Sequence, residues 1–257
     1  MSWLNVLIAN VRKVWILLIR YLPNTISEIV TFYAIFLMFF FGVQFVGSPE
    51  RMGENNAFII VSMFLWFLSL MAMQGIGWEL TNEATTGTLE QLYMSPVPAW
   101  IILLSRMVGT VLVNLVVMIT VLVLSMLTAG RWLNFDVFTL VPLFVFLLVG
   151  MLGVGFMVAG LALIYKQINA LLQIAQFAFF ALVSVPVTLS PWLEFLPVVR
   201  GASMVREAMT EGRQVLEFAA TDWVFLLVNA ALYFVAGVFV YKLAERRAMA
   251  RGLLGKY

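Results

Sequence analysis

The chain has 257 residues, 63% of them hydrophobic and 11% charged, with a mean hydropathy of +1.03 and a net charge of +2. Soluble domains are about half apolar and a quarter charged, so this composition excludes a water-soluble protein and identifies an integral membrane protein. Cysteine and histidine are both absent, which removes disulfide and thiolate chemistry and the commonest general base and metal ligand.

In residues 1–22, Trp3, Leu4, Leu7, Ile8, Val11, Val14, Trp15, Leu18 and Leu22 recur at helical spacing, while Asn5, Arg12, Lys13 and Arg20 take the other face. That pattern fits a helix lying in the membrane interface, with Pro23 allowing the turn into the bilayer. Arg12 and Lys13 interrupt the apolar run and no small-residue cleavage site follows, so a cleavable signal is not expected. Uncharged intervals then run over 29–49, 55–78, 107–130, 137–165, 167–193 and 223–241. Each has room for the roughly 20 residues that carry a helix across about 30 Å of hydrocarbon. The third span starts near Ile101, with Arg106 snorkelling from its end. Backbone groups in lipid must be satisfied internally, so the expected fold is all-α and polytopic, with six transmembrane helices.

Lysine and arginine are unevenly shared between the two sides. Arg12, Lys13, Arg20, Arg106, Lys166, Lys242, Arg246, Arg247, Arg251 and Lys256 fall on one side, and Arg51, Arg131, Arg200, Arg206 and Arg213 on the other. The positive-inside rule therefore puts both termini, and the loop after the second span, in the cytoplasm. The basic run 242–256 reads as an anchor at anionic lipid. Gly150, Gly153, Gly155, Ala159 and Gly160 in the fourth span let helix backbones approach closely, for packing within the chain, a dimer seam or a substrate lining. Residues 188–222 are too charged to cross. They read as one or two short external amphipathic helices broken at Pro197 and Gly212, serving as a gate or as a plug that completes the fold.

The loop after the second span, residues 78–98, is the most informative stretch. It carries three of the thirteen carboxylates and no lysine or arginine. Thr88 and Gln91 have the spacing of a capping box, in which the Thr88 hydroxyl accepts the Gln91 amide and the Gln91 side chain reaches back. Glu90 in the first turn favours the helix dipole, Gly87 permits a tight turn, and Pro96 disfavours helical geometry at Ser95. A helix of about two turns over 89–94 follows, with Leu89, Leu92 and Tyr93 on one face.

These residues, Glu83, Gly87-Thr88-Leu89-Glu90, Leu92 and Ser95-Pro96, resemble the cytoplasmic signature of type-2 ABC transporter permeases, which export drugs, lipids and glycans. The N-terminal amphipathic helix, the span count, and Arg206-Glu207-Ala208 with Gly212 after Pro197 extend the resemblance over nearly the whole chain. It implies a single type-2 ABC transmembrane domain over 1–257, with 1–22 the interfacial helix, 78–100 the coupling segment and 188–222 the external segment. It further implies that Glu83, Gly87, Thr88, Leu89, Glu90, Leu92 and Pro96 form the surface that docks into an ABC ATPase subunit. Two ATPase copies and a second permease chain, identical or homologous, are the implied partners, besides membrane lipid and without nucleic acid. The implied location is the inner (plasma) membrane of a prokaryote. Ala84-Thr85-Thr86 stands where relatives carry more charge. A type-1 importer is disfavoured, because Gly87 follows Glu83 by four positions where that class requires six.

No phosphate loop is present; the one Gly-Lys pair is Gly255-Lys256. No cofactor is therefore expected on this chain, and ATP with Mg²⁺ belongs to the partner ATPase. Polar residues inside spans tend to face the protein interior. Gln44, Gln74, Asn114, Gln173 and Gln176 are the candidates for a transport path; Asn169 and Asn229 are also polar, and interhelical hydrogen bonding is the plainer role for each. Glu28 lies near the cytoplasmic end of the first span, where water or Arg20 would satisfy it. A stand-alone channel or carrier is the alternative function, and a membrane-embedded enzyme a third. The chain offers no evident catalytic set for an enzyme and no intramembrane charge relay for a carrier. The aromatic content suits a hydrophobic or amphiphilic cargo and lipid-facing helices equally.

Overall fold

The computed structural model describes residues 3–46, 52–165, 168–185, 187 and 190–250. Arg51, Lys166, Gln167, Arg251 and Lys256 lie outside the described residues, as do the side chains of Trp3, Leu4, Gln74, Ala84, Thr85, Leu89, Glu90 and Asn169. Among the described residues all regular structure is helical: α1 (Trp3–Arg20), α2 (Leu22–Val46), α3 (Met52–Thr86), α4 (Leu89–Tyr93), α5 (Ala99–Ala129), α6 (Val137–Tyr165), α7 (Asn169–Ser184), α8 (Val199–Glu211) and α9 (Ala220–Ala250). Two 3₁₀ turns, Pro191–Phe195 and Val215–Glu217, flank α8.

Among the described residues five helices, α2, α3, α5, α6 and α9, are long and apolar enough to cross a membrane, which makes this a multi-pass membrane protein. The expected fifth span over 167–193 departs from this. Its helix α7 has 16 residues, about 24 Å at 1.5 Å per residue, short of the hydrocarbon thickness. Val185 is extended at φ −72°, ψ 127° because it precedes Pro186, whose ring excludes the helical region for the residue before it. At the N-terminus, α1 and α2 break at Tyr21, with Pro23 in the first turn of α2, where its missing N–H is no loss. The α1 backbone lies on α5: a Cβ on Gly109 would stand 3.2 Å from Val11 N and 3.3 Å from the Asn10 carbonyl carbon.

The centre of the bundle is α6, which packs on both α9 and α3. A Cβ on Gly237 of α9 would collide with the carbonyl of Gly153, and one on Gly153 with the backbone of Tyr233. A Cβ on Gly160 would stand 3.3 Å from Tyr241 Cα, and one on Gly155 3.0 Å from Ala72 O of α3. The small-residue stripe thus serves packing within the chain, the plainest of its three expected roles. Asp136 caps α6, accepting from Phe138 N–H at 3.2 Å and from the Thr139 hydroxyl at 2.5 Å.

At the end of the bundle away from α4, helix α8 buries Val199, Ala202, Met204, Val205, Ala208 and Met209 and packs on α3, α6 and α7. It breaks at Gly212, as expected, where φ is +75°. Arg200 pairs with Asp222 at 2.5 Å and Arg213 with Glu207 at 2.5 Å. Arg206 has no carboxylate partner among the described residues. It donates to Val183 O at 2.6 Å and Ser62 Oγ at 3.3 Å, and it lies over the Phe58 ring at 4.2 Å. Burial pulls its pKa down to about 10.

Candidate functional site

Helix α3 has 35 residues, about 52 Å, so it outruns the hydrocarbon by roughly 20 Å. The second span was expected to stop at Trp78; instead the helix continues through the polar residues to Thr86. Asn82, Glu83 and Thr86 sustain it, and Thr86 Oγ donates back to Asn82 O at 2.8 Å. It stops at Gly87, whose φ of +73° is left-handed. Thr88 N–H closes on Glu83 O at 2.9 Å, the six-to-one bond of a Schellman turn. A Cβ on Gly87 would meet nothing within 4 Å, so glycine serves the backbone angle there and not space.

Helix α4 starts at once. Thr88 O accepts from Gln91 N–H at 3.1 Å and Leu92 N–H at 3.4 Å, which makes Thr88 the N-cap. The capping box expected from Thr88 and Gln91 does not form. The Thr88 hydroxyl is turned toward α3 instead, 3.0 Å from the Thr86 hydroxyl and 3.4 Å from Glu83 O. The competing acceptors come from the Schellman turn, which folds the end of α3 back onto the cap. Helix α4 ends at Tyr93, one residue before the expected Met94, ahead of Ser95-Pro96.

Two residues hold α4 to the bundle. Leu92 is buried, and the Tyr93 hydroxyl lies 2.8 Å from that of Tyr241 on α9. Tyr241 is fully buried, edge-on to Phe156 of α6 at 5.6 Å. Burial holds the Tyr93 phenol above its ordinary pKa, against the hydrogen bond to Tyr241. Gly87, Thr88, Gln91, Met94 and Pro96 are exposed. The α4 turn therefore has an anchored face and an open one.

Behind α4, Arg106 of α5 reaches across to α3. Its Nη1 donates to Glu79 Oε1 at 3.1 Å and to Glu83 Oε1 as well. Lys13 of α1 acts on the Glu79 carboxylate too. Glu83 is thus engaged within the chain, and its Oε2 is buried without a hydrogen-bond partner among the described residues. Lys242 of α9 stands over the Trp100 ring at 4.9 Å, so α1, α3, α5 and α9 all converge at this end. The Arg106 clamp escaped the sequence reading, which left Arg106 to snorkel. Its signal was Glu79 and Glu83 one turn apart on α3, facing a lone arginine in the next span.

The polar residues proposed for a path separate. Asn114 of α5 and Gln176 of α7 line one groove, together with Glu28, Trp66 and Trp78. Gln173 is exposed on another part of α7, and Gln44 is half-buried near the far end of α2. Asn229 donates to Phe195 O at 3.0 Å, tying α9 to the first 3₁₀ turn. Gln74 lies on α3, its side chain outside the described set.

The sequence model of a family described as "ABC-2 family transporter protein" matches residues 47–239. No curated protein matches the chain.

Proposed function

Because the chain belongs to the ABC-2 transporter family, whose members are membrane permease subunits working with an ABC ATPase, we propose that it is the permease of an ATP-driven exporter, with α4 as its coupling helix. The cargo is hydrophobic or amphiphilic, of the drug, lipid or glycan class. The α4 end, with both termini, faces the cytoplasm of a prokaryotic cell, and two permease chains assemble with two ATPase chains that hold ATP and Mg²⁺.

One observation carries this reading: α4 continues α3 through a rigid turn and grips α9 through Tyr93 and Tyr241, while its other face is open. A rigid-body push on the open face acts on two spans at once. In this reading Gly87, Thr88, Gln91 and Pro96 meet the ATPase, with Leu89 and Glu90 completing the surface. Leu92 and Glu83 act from behind, as anchor and as part of the Arg106 clamp. ATP closes the ATPase pair, the coupling helices follow, and the spans move between inward and outward openings. Transport requires that nucleotide stabilise the two states unequally.

The test uses liposomes containing the permease and its ATPase. Glu90→Lys should leave insertion and folding intact while abolishing substrate-stimulated ATP hydrolysis and transport, and Gly87→Pro should leave insertion intact but lose both by breaking the left-handed turn. Wild-type stimulation in both variants would refute the docking assignment.

A further inference from the structure

An acidic side chain in the membrane region is left unused by the ion pairs, the coupling turn and the packing. Glu28 sits two turns into α2, and among the described residues it has neither hydrogen bond nor ion pair; Arg20, its expected partner, does not reach it. Glu28 lies where two grooves meet. One, of about 350 Å³, runs between α2, α3, α5 and α7, and the other, of about 380 Å³, between α1, α2 and α5. Glu28 and Asn114 line both. Neither groove is closed, and both lie within the size range of small-molecule sites.

The first groove is walled by Phe32, Trp66, Phe67 and Trp78. Three of these rings, those of Phe32, Trp66 and Phe67, are held in place. Trp66 Nε1 donates to Gln176 O at 2.9 Å, its ring stands 4.9 Å from that of Phe180, and Phe32 meets Phe67 at 4.7 Å. Asn114 lies eight residues, about 12 Å, along α5 from Arg106, so the groove begins just inside the ion-pair cluster. An ionisable group placed in a span without a partner is costly unless something else meets its charge. A preformed aromatic wall offers ring faces to a cation, and a mostly apolar cleft with a few polar groups is the usual form of a ligand site.

We propose that this groove binds a lipophilic monocation, such as a quaternary ammonium, a phosphonium or a protonated hydrophobic amine. The Glu28 carboxylate meets the charge and Phe32 and Trp78 take the apolar body, backed by the buried rings of Trp66 and Phe67. This rests on the exporter reading and narrows its cargo from hydrophobic or amphiphilic to cationic. The acid and the rings act together: the carboxylate selects charge sign, and the rings reward a large, weakly hydrated cation over a metal ion or a small amine.

Binding is measured on the purified chain in nanodiscs, without the ATPase, with tetraphenylphosphonium as probe and empty nanodiscs subtracted. Tetraphenylborate, nearly the same size and opposite in charge, is the control. The wild type should bind tetraphenylphosphonium saturably, and tetraphenylborate at least tenfold more weakly. Glu28→Gln should weaken the cation at least tenfold, Glu28→Asp should retain most of the affinity, and Trp78→Ala should weaken it several-fold. Thermal unfolding checks that each variant is folded, and Trp78→Ala serves alone if Glu28→Gln is not. Wild-type cation affinity in a folded Glu28→Gln, unchanged affinity in Trp78→Ala, equal binding of the two probes, or no saturable binding to the wild type would overturn the proposal. Cation binding that depends on Glu28, in a chain that stimulates no ATPase, would keep the site and sink the exporter reading.

Discussion

Removing Arg106 should expose how far the α4 end depends on one guanidinium. Arg106 serves Glu79 and Glu83 together, with 18–30% of each partner side chain accessible and Arg106 itself 21% accessible. Breaking a fully buried pair by deleting one partner costs about 3–5 kcal/mol, because a charge is left desolvated, while an exposed pair is worth about 0–1 kcal/mol. The partial exposure here places Arg106→Gln between these limits, at about 2 kcal/mol. For a chain of this size that corresponds to roughly 4–8 °C in Tm. Most of the cost is the stranded Glu83 carboxylate, whose Oε2 already lacks a hydrogen-bond partner. Adding Glu83→Gln to Arg106→Gln should therefore restore about half of the loss, whereas Glu83→Gln alone should destabilise. The assay is thermal unfolding of the four proteins in one detergent, read as a double-mutant cycle. A Tm for Arg106→Gln within 1 °C of wild type, or a double variant no more stable than Arg106→Gln, would refute the clamp.

Glycine tolerance should divide by position: Gly237→Ala should cost about 3 kcal/mol or more or prevent folding, since its Cβ meets the Gly153 backbone, whereas Gly75→Ala, with open space, should be neutral or stabilising by up to about 1 kcal/mol, as read by detergent thermal unfolding. Gly87→Ala should cost about 1–2 kcal/mol from its left-handed φ alone, although space is free, as measured by the same unfolding. Tyr93→Phe should lose the tie to Tyr241, costing about 1 kcal/mol, and should uncouple ATP hydrolysis from transport more than it lowers Tm. Burial raises the Tyr93 pKa, so the unfolded chain ionises first; stability is flat below about pH 10 and falls as pH rises past it, and Tyr93→Phe should shallow that fall in a pH series of unfolding curves.

The Gly87 turn illustrates how much of a site can be legible in advance. Gly87 and the short helix after it were expected from local chemistry, since a left-handed stop and a proline three residues past the helix end act within a few residues. The same local reasoning assigned the Thr88 hydroxyl to Gln91. The hydroxyl went to Thr86 and Glu83 because the Schellman turn brought the end of α3 within reach, and a capping rule based on four residues has no knowledge of the helix before it. Likewise Arg106 was visible as a charge in an apolar span, but its two partners sit 27 and 23 residues earlier, and helix packing alone made them neighbours.

Composition and spacing by themselves determined that this chain lives in a membrane, that its spans are helices, and where the Gly87 turn falls. Those properties follow from backbone hydrogen bonding in lipid and from steric rules within a few residues. Tertiary structure decided that α3 runs through the polar segment to Thr86 and that α6 presses its glycines on α9 and α3. It also drew Asn114 and Gln176 into one groove with Glu28 and left Gln44 and Gln173 outside it. Each of these depends on which helix faces come together, and residues distant in sequence are selected as neighbours only by the packing of whole helices.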